Sequence, residues 1–186
     1  IDQSVHLYNP ASGWIQNCNS TPFTAAGPAS PDKKNYPTYM APDGENFRGV
    51  NAARVLSAEN KFTIDKTITA GYDRKLSAFE ILIPALVSSF EKNVFVTDTL
   101  YAQLTEPIQL LKKWDYYSAE NSVATTLAIE WEEKLTASIR RIYTDEGWDD
   151  QVTLVKKFAT TATKNELLPP LLAVLKELKT KFGKWE

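Results

Sequence analysis

Sulfur and imidazole are scarce in this chain: its 186 residues hold one cysteine, Cys18, one histidine, His6, and one methionine, Met40. A lone thiol cannot close an internal disulfide, and a zinc centre needs three or four suitable ligands, so a disulfide scaffold and a structural zinc site are excluded. Charge of one sign is lacking too. Twenty-one Lys and Arg against 23 Asp and Glu give a net charge of −2 near pH 7. The basic residues are scattered, so the footprint of a nucleic-acid binder is missing. No apolar run approaches the ~20 residues of a membrane-crossing helix, and no glycine-rich loop is built to cradle a phosphate. Nucleic acid, membrane and nucleotide therefore drop out as partners, and no cofactor or metal is implied in this chain.

The start of the chain argues against a complete gene product. The chain begins Ile1-Asp2-Gln3, its only methionine is internal, and no charged-then-apolar segment precedes the first motif. The expectation is a processed or excised piece of a longer protein.

What is present divides in two. Residues 1–49 are rich in Pro, Gly, Asn, Ser and Thr and show no sustained helical period, which predicts strand and long loop. From Val50 to residue 186 the apolar spacing becomes helical. Asn51 to Leu56 opens this region, and Thr63 suits the N-cap of a short helix ending near Gly71. Ser77-Ala78-Phe79-Glu80 has the pattern of a capping box before Phe79, Leu82, Ile83, Leu86, Val87 and Phe90, with a kink or bulge expected at Pro84. Thr97 or Asp98 can cap the next helix, which carries Leu100, Leu104, Ile108 and Leu111, with a break threatened at Pro107. Asn121 or Ser122 starts a long helix with Leu127, Trp131, Leu135, Ile139 and Ile142 on one stripe. Val152, Val155 and Phe158 mark a short helix. Pro169-Pro170 suits the first turn of a last one, ended by Gly183. The fold class expected is a mainly α fragment with one or two short N-terminal strands.

Two groupings invite chemistry and fall short. Asp145, Glu146, Asp149 and Asp150 form a dense acidic cluster, but it lacks the alternating ligand spacing of a calcium loop, so a solvated turn with Asp149 or Asp150 capping the next helix is the better account. His6 and Cys18 would make a thiol-imidazole pair, yet nothing orients His6 and Cys18 is expected to point away from the face bearing Asn19.

The stretch that stands out is Asn9-Pro10-Ala11-Ser12-Gly13-Trp14-Ile15-Gln16-Asn17-Cys18-Asn19-Ser20-Thr21-Pro22-Phe23. Pro10 and Gly13 make a turn, Trp14 to Cys18 reads as a short strand, and Pro22 stops it. Strand alternation puts Ile15, Asn17 and Asn19 on one face and Trp14, Gln16 and Cys18 on the other. A neutral carboxamide at the end of such a strand can donate to developing negative charge, as an oxyanion hole requires. The same groups also suit a turn, where they would satisfy nearby backbone. Arg54, beside the apolar stripe of its helix, equally suits a snorkelling surface residue.

This stretch, with Asn51-Ala52-Ala53-Arg54-Val55-Leu56, resembles the penicillin amidase (penicillin acylase) family of N-terminal-nucleophile hydrolases, and it resembles an internal piece of the β chain. The family's N-P-x-S-G-[aromatic]-[aliphatic]-x-N-x-N segment ends on its oxyanion-hole asparagine, which falls here on Asn19. Its A-x-R arginine near the active site falls on Arg54, where it would orient the site. The resemblance implies an αββα sandwich in which an N-terminal serine attacks an amide carbonyl and its own α-amine acts as base. It implies partners too: the α chain, the β-chain segments carrying the nucleophile, and a small-molecule amide substrate. Export to the periplasm or cell exterior follows from the same likeness, and any structural calcium would belong elsewhere in the parent enzyme. The competing expectation, from a different class, is a helical interaction module whose Asn-rich stretch is purely structural.

Overall fold

The computed structural model describes residues 3–146 and 150–186, the side chains of 142–146 excepted. The side chains of Asp145, Glu146 and Asp149, and that of Ile142, lie outside the described residues. Two compact units emerge, Ile1–Ser77 with Gly147–Thr153, and Ala78–Glu146 with Leu154–Glu186. The expected division after residue 49 falls inside the first of them.

In the first unit the chain up to residue 46 is held by turns rather than by a ladder. Short 3-10 turns at Pro22–Thr24, Gly27–Ala29 and Lys33–Asn35 break the loop into brief pieces. No strand exists among the described residues, which corrects the expected strand at 14–18. That segment has alternating burial but no partner strand. Its Gln16 N–H donates to the Ala25 carbonyl at 2.8 Å, and just beyond it Thr21 N–H donates to that of Gly44 at 3.0 Å. A strand is defined by pairing, and a five-residue run between two prolines offers too little backbone to pair with itself.

Helix α1 (Phe47–Ser57) then begins at Asn46, whose side chain accepts from Gly49 N–H, and α2 (Ile64–Gly71) begins at Thr63, as its sequence predicts. At the far edge of this unit Asp150 accepts from Thr153 N–H at 2.8 Å, which is the cap expected of it.

The second unit is a helical bundle: α3 (Phe79–Asn93), α4 (Thr99–Lys112), α5 (Val123–Glu146) and α7 (Lys164–Phe182), with α5 and α3 both packed on α7, and α4 on α3 and α5. Helix α6 (Gln151–Thr161) contributes from Leu154 onward. Leu82, Leu86, Leu104, Ile108, Leu111, Leu127, Trp131, Leu135, Phe158 and Leu171 are completely or almost completely buried, the apolar stripes turned inward as helical spacing dictates.

Three helix starts differ from expectation. Ser77 caps nothing; α3 has no side-chain cap, and the Ser77 hydroxyl instead donates to Asn51 Oδ1 at 3.4 Å. Asp98 stands at the N-cap of α4 but accepts from Phe95 N–H at 2.8 Å, outside the helix. Helix α7 starts five residues before the proline pair, at a capping box of Thr163 and Glu166. Two of the four orphan donors at its N-terminus are thereby engaged, a stronger start than a proline at N1. Both α3 and α4 run on past Pro84 and Pro107, so the break at Pro107 does not occur. Gly183, at φ 78°, supplies the left-handed residue that ends α7.

Candidate functional site

The Asn-rich stretch and α1 meet within the first unit. Along residues 14–19 the burial alternates as a period of two requires: Trp14, Gln16 and Cys18 are wholly or partly covered, whereas Ile15, Asn17 and Asn19 are exposed. The two exposed asparagines then part company. Asn17 turns its Oδ1 back to accept from Asn19 N–H at 3.0 Å, which closes a local turn. Asn19 sits at φ 53°, in the left-handed region that asparagine enters more readily than most residues, and so forms a corner.

That corner is held from α1. Asn46 Nδ2 donates to the carbonyls of Cys18 and Asn19, at 3.0 and 3.1 Å, while its Oδ1 caps Gly49 N–H at 2.9 Å. Arg48 Nη1 reaches the Asn19 Oδ1 at 3.5 Å. Asn19 is exposed, and its amide nitrogen donates to none of the described residues.

The approach is close. A Cβ on Gly49 would come within 2.8 Å of the Ser20 Oγ and 3.5 Å of the Gln16 Nε2, so glycine is what lets the first turn of α1 lie against the stretch. Beneath it, both polar atoms of the Gln16 carboxamide and the Ser20 hydroxyl are buried without a partner among the described residues.

Farther along α1, Arg54 is built into a second network. Its Nε and Nη2 donate to Asn51 Oδ1, one turn earlier on the same helix, at 3.0 and 2.9 Å. Its Nη2 also lies 2.6 Å from Asp73 Oδ1, and Asn51 Nδ2 donates to that oxygen at 2.9 Å. Lys75 N–H adds a further donor at 3.0 Å. Burial pushes the Asp73 carboxyl up, but the hydrogen bonds from Asn51, Arg54 and Lys75, with the charge of Arg54, outweigh it and hold the group below its ordinary value.

The structure thus ties Asn19 to Asn46 and Arg48, and Arg54 to Asn51 and Asp73, all on or against one helix. Arg48 and Arg54 are six residues apart on it, about 9 Å of rise. The set-aside pair stays apart in kind: His6 meets Ser4 Oγ at 3.0 Å and stacks near Tyr8, and Cys18 is a half-buried free thiol whose carbonyl Asn46 holds. Sequence reasoning reached Asn19 and Arg54 but not Asn46, Arg48 or Asp73. Asn46, an asparagine directly before a helical pattern, carried the N-cap signal that would have found it.

The family model described as Penicillin amidase matches residues 1–185. With the match running over essentially the whole sequence and both motifs gathered around α1, the chain belongs to the penicillin amidase family, and this points to a hydrolase of amides as the larger enzyme that it serves.

Proposed function

We propose that this chain supplies the oxyanion-hole asparagine, Asn19, and an orienting cation, Arg54, to an N-terminal-nucleophile acylase of αββα fold. The enzyme cleaves the amide of an acylated small molecule, such as a β-lactam antibiotic or an acyl-homoserine lactone. The serine nucleophile and the α-amine that serves as its base come from a segment other than these 186 residues. Self-cleavage that exposes such a serine, and export to the periplasm or medium, belong to the same proposal.

The observation that carries the reading is the state of the Asn19 carboxamide. Its backbone is fixed by Asn46, its oxygen is met by Arg48, and its nitrogen donates to no described residue. A donor for a transient oxyanion must be held in place before the charge forms and must not already be spent. Asn17 is turned onto the Asn19 N–H through its Oδ1, whereas Asn19 stands at the last position of the family's motif, which supports the reading of Asn19 as the donor.

The test is Asn19→Ala in the complete enzyme. Turnover should fall by about 10²–10³, the usual cost of one oxyanion donor, with KM changed far less. Near-normal turnover would return the Asn-rich stretch to a purely structural role. The 186 residues alone should hydrolyse no amide.

A further inference from the structure

The backbone of residues 14–18 is bonded along one edge only. In an extended run the N–H and C=O of one residue point to the same side, and those of the next residue to the other. The even-numbered residues are engaged. Trp14 C=O accepts from Ser12 Oγ at 3.1 Å, Gln16 N–H donates to the Ala25 carbonyl at 2.8 Å, and Cys18 C=O accepts from Asn46 Nδ2 at 3.0 Å. The N–H and C=O of Ile15 and of Asn17 meet no partner among the described residues.

Both residues are exposed, and Ile15, an apolar side chain, is 53% so. Free donors and acceptors along one edge, beside an exposed apolar group, are what an edge strand offers to another chain. The spacing also selects the occupant. Residues two apart, each with one donor and one acceptor, are matched by another extended backbone, whereas a helix has already bonded its own N–H and C=O groups internally.

We infer that the Ile15–Asn17 edge receives an extended segment of the acylase from outside these 186 residues, and that the register of this pairing sets how far Asn19 reaches toward the nucleophile. This rests on the reading of the chain as one part of that larger enzyme. Asn19 stands two residues beyond Asn17, so it moves with the pairing. A slip of two residues displaces it by about 7 Å, and a misplacement of about 1 Å is enough to cost a hundredfold in rate.

Amide hydrogen exchange, read residue by residue in the complete enzyme, tests this. Without substrate, the Ile15 and Asn17 N–H groups should exchange on the order of a hundredfold more slowly than the same sequence unstructured. They should stay slow in Asn19→Ala, which keeps the backbone intact. Ile15→Pro removes one donor from the edge, so it should speed exchange at Asn17 and lower kcat by about tenfold or more. Exchange of both amides at the unstructured rate would overturn the pairing, as would a parental Asn17 rate and kcat in Ile15→Pro. Slow exchange that appears only with substrate would give the edge to the substrate. Slow exchange lost on dilution while activity persists would give it to a second copy, and either result overturns the inference. If both amides are slow while Asn19→Ala turns over normally, the oxyanion reading falls and the pairing stands.

Discussion

The side-chain nitrogen of Asn46 lies 3.1 Å from the carbonyl oxygen of Asn19, while the oxygen of the same carboxamide caps the Gly49 N–H of α1. One buried side chain therefore starts a helix and holds the corner on which the proposed oxyanion donor stands.

Replacing it separates the two tasks. Asn46→Ala should cost about 1 kcal/mol as a lost N-cap. It also strands the carbonyls of Cys18 and Asn19. Denaturant unfolding would measure that loss, and kcat in the complete enzyme should fall by more than the folded fraction explains. A variant that is destabilised yet turns over normally per folded molecule would reduce Asn46 to a helix cap.

Asp73 gives a pH signature. Its carboxyl binds a proton less readily when folded than when unfolded, so its contribution to stability is intact above the ordinary carboxylate range and is lost as pH falls through the lowered folded value. Asp73→Asn should therefore melt at a lower temperature than the parent near pH 7. The gap should close in acid, below about pH 4. Melting curves across that range decide it, and a gap that does not change with pH would mean that the carboxylate's charge is not what matters.

Glu132 on α5 has the opposite sign. Burial pushes its carboxyl up, and the neighbouring Glu133 charge adds to the shift. A raised folded value means a contribution that is present below the ordinary range and lost as pH rises through the folded one, so at neutral pH the ionised group is held at a cost. Glu132→Gln should raise the melting temperature near pH 7 and leave it unchanged in acid. A lower melting temperature at neutral pH would show that the ionised carboxylate has a role in the folded state.

What was readable in advance follows the range of the interaction involved. Thr63, Asp150 and Gly183 act on neighbours within a few residues, and each caps or ends its helix as its sequence predicts. The alternation along residues 14–19 was readable for the same reason. Whether that segment pairs as a strand depends on backbone far away in the chain, and it does not. Ser77 and Glu80 had the right spacing for a box, but Asn51, 26 residues earlier, takes the Ser77 hydroxyl. At α7 the reverse holds: Thr163 and Glu166 carry a box in plain sequence, and it starts the helix ahead of the proline pair. The site divides in the same way. Asn19 and Arg54 stand in recognisable motifs, whereas Arg48 and Asp73 join them only through folding.

Trp131 tests the bundle itself. Its indole N–H donates to the Leu167 carbonyl at 3.0 Å, and the side chain is fully buried where α5 crosses α7. Two and three residues beyond Leu167 stand Pro169 and Pro170, which bring no N–H of their own to α7. The indole thus joins the two helices near the point where the backbone ladder of α7 is weakest. Trp131→Phe keeps an aromatic ring but removes the donor and leaves space, so it should destabilise by about 2–4 kcal/mol, a lost buried hydrogen bond and a small cavity together. Unfolding by denaturant measures this directly. Because the residue belongs to the unit without Asn19 and Arg54, kcat per folded molecule should stay within about twofold of the parent. A large fall in kcat without loss of stability would show instead that the bundle takes part in the chemistry.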